Sequence, residues 1–263
     1  MPINYRQVEE YIRTIAAMHE FTTILLSFFP DDDTQIREVI IRNFIARGMT
    51  SLESILALWN LGHFQDCWIL YRALVDRLFH LRALADNDSF ETFEKWSFAE
   101  RYDALNRLRS DPMFRVKADN GDLNISANDK RRYNEIKQDN IEWSRPKAEQ
   151  IAKKSFKMPF LYYYGYDYAS KQVHPMATDG EDDYRRLVHK SWLKFDQRVV
   201  LNNSLLIQTL LMQEGLNASK FQWRAIVYKF IEQCRHSLET GSEEHFDTLI
   251  TLIGAGPEFV WCK

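Results

Sequence analysis

Side chains able to do chemistry recur at one spacing in two separate stretches. Arg72, Asp76 and His80 stand at i, i+4 and i+8 within HFQDCWILYRALVDRLFHLRALA. Tyr166, Ser170 and His174 stand at the same spacing within FLYYYGYDYASKQVHP. On an α-helix, residues four apart lie one above the other on a single stripe. The first stripe offers a cation, a carboxylate and an imidazole. The second offers two hydroxyls and an imidazole. A guanidinium suits forked contact with phosphate or carboxylate. An imidazole titrates near neutrality, so it suits proton transfer. Each stripe also has a plainer reading. The first is then a solvated helix face with a weak ion pair. The second is a tyrosine-rich packing surface with an incidental histidine.

The element that must position the first stripe is strongly amphipathic. Phe64, Cys67, Trp68, Leu70, Tyr71, Leu74, Val75, Leu78, Phe79 and Leu81 fall on one arc of the helical wheel. Gln65, Asp66, Arg72, Asp76, Arg77 and His80 fall on the opposite arc. No Pro or Gly interrupts Phe64 to Ala85, so the hydrogen-bond ladder is unbroken. The second stripe runs into Pro175. Proline disfavours α geometry at the residue before it, which places His174 at a helix C-terminus. There the helix dipole favours the imidazolium form.

The pairing of ILYRALVDRLFHL with a later Tyr-x3-Ser-x3-His resembles the bacterial domain-of-unknown-function 5677 family, over about residues 40–215. Members carry Leu-Arg-x-x-x-Glu on one helix and a Tyr/Ser/His segment well downstream. The matching positions are Leu70, Arg72, Asp76, Tyr166, Ser170 and His174. Asp76 departs from the usual Glu and reaches one methylene less far. Tyr71 interrupts the Leu-Arg pair. The resemblance implies a helical bundle and one polar centre shared by the two segments. It brings no settled reaction. Some relatives are similar to HEPN-type helical proteins, several of which are metal-independent ribonucleases of bacterial defence; that step is fold-level analogy. In a shared centre, Arg72 is a fixed cation for a phosphate, and Asp76 orients Arg72 or a histidine. His174 is the candidate general acid and base. Ser170 and Tyr166 position the substrate by hydrogen bonds, and His80 is a weaker member. The expected function is a metal-independent, nuclease-like effector acting on RNA. The alternative is a non-catalytic interaction or scaffold protein whose stripes form a structural network or a partner surface.

Other motifs carry less. The HEPN-type Arg-x4–6-His pattern occurs only at Arg13 and His19, and a six-residue offset puts those two on different helix faces. No P-loop, GxGxxG, GxSxG or HExxH is present. His236, Glu243, Glu244, His245 and Asp247 have ligand chemistry but no known ligand spacing, so neither a metal nor a cofactor is expected. Lys130 to Lys157 holds nine Lys/Arg against four acids, with Tyr133 and Trp143 between them. A nucleic-acid interface there would use Arg131, Arg132, Lys153, Lys154 and Trp143. A solvated surface helix explains the same run.

Composition bounds the rest. The 263 residues carry 45% hydrophobic and 27% charged side chains, typical of a water-soluble globular chain. Only nine Gly and seven Pro disfavour a turn-rich β architecture. A net charge of −3 argues against a general polyanion binder. Cys67, Cys234 and Cys262 are odd in number and form no CxxC pair, so no disulfide framework is expected. Cys67 reads as a small core residue. No signal peptide or membrane-length apolar run appears, and the expected location is cytoplasmic. Partners are RNA or another protein, and a homo-oligomer is compatible. The periodicity predicts an all-α, single-domain bundle of about eight helices. These cover 4–29, 34–61, the amphipathic helix from Phe64, 89–109, 128–156, 183–213, 218–238 and 243–253, with Ser89 a cap candidate. An exposed loop over 110–128 and an irregular tail over 254–263 complete the chain. Gly48 marks a close helix crossing, whereas Gly215 and Gly241 separate helices.

Overall fold

The computed structural model describes residues 8–31, 34–113, 125–174, 177, 180–189, 198–222, 224–240 and 246–256. Among these residues the secondary structure is entirely helical. Its α-helices are α1 (Val8–Leu26), α2 (Ile36–Asn60), α3 (Phe64–Asn87), α4 (Phe90–Ser110), α5 (Ala127–Gln138) and α6 (Ala148–Gln150). They continue with α7 (Tyr168–Ser170), α8 (Glu181–His189), α9 (Arg198–Ala218), α10 (Arg224–Thr240) and α11 (Asp247–Gly254). Two π-helical turns, Ile151–Ser155 and Leu161–Asp167, follow α6 and precede α7 without a break. The backbone divides into two compact units, residues 1–83 with 146–263, and residues 84–145.

In the first unit, α2 and α9 make the most intimate helix pair. Glycines set their approach. A Cβ at Gly48 would lie 2.3 Å from Gln208 Oε1 and 2.6 Å from Leu211 Cδ2. A Cβ at Gly215 would lie 2.9 Å from Ile45 Cδ1. Gly48 is thus the close crossing the sequence implied. Gly215 is not the helix separator expected of it, because it lies inside α9 and faces α2. Close backbone approach, not helix termination, accounts for the missing side chain. Helix α1 packs on α2, α9 and α11, and α10 packs on α9 and α11. Phe21 and Phe230 stack at 3.9 Å within that core, both fully buried.

In the second unit, α4 packs on α5 around buried Phe98, Ala99, Tyr102 and Ile136. Tyr133 stacks on Tyr102 at 4.1 Å and donates to Asp103 at 2.5 Å. Ser126 opens α5 with a capping box. Its hydroxyl accepts from the Asp129 amide at 3.0 Å, and its own amide donates to the Asp129 carboxylate at 3.0 Å. These bonds satisfy donors that a helix start leaves unpaired. Ser89 does occupy the N-cap of α4, but its side chain makes no capping bond.

The described residues contain eleven α-helical elements where about eight were expected. The expected helix over 128–156 breaks after Gln138, where Asn140 adopts φ 49°. Pro146 precedes the restart at Ala148 and provides no amide donor. The expected helix over 183–213 appears as α8 and α9, and residues 190–197 between them lie outside the described set. So do residues 114–124 of the expected loop and 257–263 of the expected tail.

Candidate functional site: an arginine centre

The apolar arc of α3 is buried as its periodicity implies. Cys67, Leu74, Val75, Leu78 and Leu81 have no exposure, and Trp68, Tyr71 and Phe79 have little. Cys67 Sγ lies 3.4 Å from the Ile55 carbonyl oxygen, and burial pushes its thiol pKa up to about 12. The opposite arc is not simply wet. Arg72, Asp76, Arg77 and His80 are each half-buried. Arg77 donates to Ser51 Oγ at 3.2 Å, and burial, followed by the charge of Arg47, lowers its pKa.

The segment that meets Arg72 is the second π-helical turn with α7. Sequence and packing both explain its course. Gly165 lets the backbone come close to α3, since a Cβ there would stand 3.0 Å from the Tyr71 hydroxyl. Phe79 lies 5.9 Å from the Tyr166 ring and 6.1 Å from the Phe156 ring. Trp68 meets Tyr168 edge-on at 5.0 Å. Apolar contact therefore docks the segment, and the polar groups are carried with it. A π-turn widens the helix by one residue per hydrogen bond, a deviation frequent at functional sites.

Arg72 is the hub. Its Nε donates to Ser170 Oγ at 3.1 Å, one Nη donates to the Asp76 carboxylate, and the other donates to the Tyr166 hydroxyl. The guanidinium carbon also sits 4.3 Å from the centroid of the Tyr166 ring. Ser170 Oγ in turn donates to the Tyr166 carbonyl at 2.7 Å. Tyr162 stacks behind Tyr166 at 5.9 Å. The Arg72 and Asp76 side chains are 24% and 27% exposed, so the centre reaches solvent along one edge. Burial, and then the Asp76 charge, hold the Tyr166 hydroxyl above its ordinary pKa. A tyrosine hydroxyl is protonated at neutral pH in any case, so this one accepts from Arg72 and keeps a proton to donate. Three of the five guanidinium N–H groups are committed to the protein.

Four of the five expected catalytic residues, Arg72, Asp76, Tyr166 and Ser170, are thus joined in one hydrogen-bonded cluster. His174 stands apart from it. Turns after α7 end at Val173, and His174 follows, exposed. Among the described residues, no hydrogen bond links its ring to the cluster. His80 Nδ1 donates to the Asp76 carbonyl oxygen of its own helix at 2.7 Å. The sequence reading missed Gly165, and it placed Tyr71 and Phe79 on the apolar arc without their contacts to Gly165 and Tyr166, which hold the two stripes together. It also missed the ion pair of Arg82 with the buried Glu214 at 2.9 Å, which joins residues 132 apart. No local pattern signals such a pair. The capping box was legible as Ser126-x-x-Asp129.

Four of the nine basic residues of the stretch, Arg131, Arg132, Lys137 and Lys153, pair with carboxylates within the chain. Arg132 grips both oxygens of Glu94 at 2.7 and 2.6 Å. Arg131 donates to Asn128 at 2.6 Å and lies 3.9 Å from Glu135. Lys153 pairs with Glu149 at 2.6 Å and lies 5.2 Å from the Tyr163 ring centroid. Trp143 packs on Trp96 at 4.6 Å and on Phe93 at 4.9 Å. Lys154 is exposed. In the candidate metal cluster, Glu243, Glu244 and His245 lie outside the described residues. No helix among the described residues is long and apolar enough to cross a membrane.

An all-helical chain with an arginine centre between α3 and a π-turn is the class that these observations define. The chain belongs to the family of unknown function DUF5677, whose family model matches residues 38–187. That span includes all but the first two residues of α2, all of α3 and the whole Tyr166–His174 stripe. No curated protein and no solved structure matches it.

Proposed function

We propose that the Arg72 centre recognises a phosphate group of RNA, and that the protein is a metal-independent, nuclease-like effector. The observation that carries this is a partly exposed guanidinium with two uncommitted N–H groups beside two hydroxyls. Such a group stabilises negative charge on a phosphoryl oxygen, most strongly where water is partly excluded. Asp76 holds the guanidinium in place before substrate arrives, so little reorganisation is needed on binding. The Tyr166 hydroxyl accepts from Arg72 and, protonated at neutral pH as tyrosines are, has its own proton for a substrate oxygen. The proton carrier in this reading is His174, four residues beyond Ser170, which meets Arg72 of α3. It takes the proton of the RNA 2′-hydroxyl as that oxygen attacks the adjacent phosphorus and the bond to the 5′ oxygen breaks, and it returns the proton to the departing 5′ oxygen. The test is cleavage of single-stranded RNA in excess chelator by the wild type, Arg72→Ala and His174→Ala. Cleavage lost in both variants, each folded by circular dichroism, supports the reading. Equal cleavage in all three proteins ends it.

A second reading has its own support. Each hydrogen bond of Arg72 named above goes to another part of the chain, and the ring of Tyr166 covers one of its faces. In that reading the cluster is a clasp that shapes a surface for a partner, and the protein is a non-catalytic interaction module. Loss of stability without any activity to lose distinguishes the clasp from the site.

A further inference from the structure

A groove lies between α1 and α2, both within the first unit. Its volume is about 600 Å³, within the range of small-molecule sites. Ile15, Ala16 and Leu56 form apolar lining, and His19, Glu20 and Glu53 supply polar groups. The Nδ1 atom of His19 is hydrogen-bonded to Glu53, which ties the ring on α1 to the carboxylate on α2. That bond gives His19 a partner outside the Arg13-x5-His19 pattern. It also leaves the second ring nitrogen and the remaining carboxylate lone pairs for another group. No lysine or arginine is among the residues that line the groove. An apolar trough with two carboxylates, in which the one group able to carry positive charge is the His19 ring on Glu53, is complementary to one kind of guest.

We infer that this groove binds a small organic cation, an ammonium or amidinium group on an apolar body. The cation lies against Glu20 and Glu53, and the body covers Ile15 and Leu56. The charge is what selects: a carboxylate on the same body meets two like charges, and a neutral body loses the charge-assisted hydrogen bond. The site is independent of the Arg72 centre, whose residues do not line it.

The experiment titrates the full chain with benzylammonium, benzyl alcohol and benzoate in turn. Binding is followed by backbone amide shifts of residues 12–20 and 53–60. Benzylammonium is expected to bind roughly tenfold tighter than benzyl alcohol, and benzoate more weakly than either. Glu53→Gln and Glu20→Gln are each expected to weaken benzylammonium at least a few-fold, with benzyl alcohol unaffected. Ala16 is exposed, so Ala16→Trp fills the groove without burdening the core and should abolish binding. Equal affinity for the three probes overturns the inference. So does an unchanged affinity in Ala16→Trp, or no response of these amides to any probe.

Discussion

Arg72 engages Tyr166 twice, by a hydrogen bond to its hydroxyl and by stacking its guanidinium 4.3 Å from the ring centroid. One side chain thus reads both the position and the tilt of the other. Truncating Arg72 removes both contacts and leaves Asp76 without its cation. Arg72→Ala should destabilise the chain by about 2–3 kcal/mol, and Tyr166→Phe by about 1 kcal/mol. Because the two share one interaction, the double variant should fall short of the sum by about 1 kcal/mol. Urea unfolding of the three variants measures this; strict additivity would show that the two side chains act separately.

The crossing of α2 and α9 makes a second, independent prediction. Gly48→Ala drives a methyl into Gln208, which is fully buried and donates to the Ile45 carbonyl at 3.3 Å. The amide must abandon that bond or the helices must separate. The expected cost is about 1–3 kcal/mol. Gly215→Ala meets Ile45 Cδ1 instead and should cost about the same or less. Scanning calorimetry decides; a melting temperature raised by either alanine would mean that helix propensity outweighs the clash.

Burial of Cys67 predicts its chemistry. With its thiol pKa near 12, very little thiolate exists at pH 8. Cys234 is buried as well. In a Cys262→Ser background, neither thiol should react with a disulfide reagent until denaturant is added. Rapid labelling of a single thiol in the native protein would place one of these two at the surface.

Acid should loosen the second unit selectively. Its Asp103 carboxyl is depressed, first by the Tyr133 hydrogen bond and further by Lys137. A group with a lowered folded pKa stabilises above its unfolded pKa, about 3.9 for Asp, and that contribution is lost as pH falls through the folded pKa. Lys137 is shifted upward, first by its hydrogen bond to Asp103. Its contribution is present below about pH 10.4, the unfolded value, and lost as pH rises through the higher folded one. Hydrogen exchange of α4 and α5 amides should therefore accelerate below about pH 4. Asp103→Asn should reduce that acid sensitivity, with the Asp129 carboxyl of the capping box, also depressed by Ser126, left to contribute.

If RNA binds through the basic stretch, charge reversal at Arg131, Arg132, Lys153 and Lys154 should weaken binding and flatten its salt dependence. Arg132 needs separate treatment, because its reversal also breaks a bidentate pair with Glu94. Binding of the Lys154 variant gives the cleanest slope, since Lys154 is exposed. An unchanged slope in all four variants removes this surface from consideration.

The legible and illegible parts of this chain separate along a physical line. The buried face of α3 was visible because periodicity is local: Cys67, Trp68, Tyr71, Leu74 and Leu78 repeat at helical spacing. Gly48 was visible as a crossing because a helix-breaking residue inside an unbroken apolar pattern needs a reason. Gly215 carried the same signal and was read as a terminus, because the flanking sequence does not show which helix approaches it. The shared Arg72–Tyr166 cluster came from matching two stripes and from family resemblance. Neither stripe alone distinguishes a wet face from a buried one. Exposed His174 follows from Pro175, which stops the helix before the histidine can join the stripe.

The division into two units has a consequence for the order in which the chain matures on the ribosome. Residues 84–145 are inserted in the first unit, whose halves meet only across that insertion. Gln208 reaches the Ile45 carbonyl across 163 positions, and Arg72 reaches Ser170 across 98. In the inserted unit, Arg132 finds Glu94 across 38 positions and Tyr133 finds Asp103 across 30. Short loops close at lower entropic cost and earlier in synthesis. The inserted unit can therefore be complete while α2 still waits for α9 to emerge. During that interval α2 has α1 beside it but lacks α9, so the face around Gly48 that α9 later covers waits for its partner.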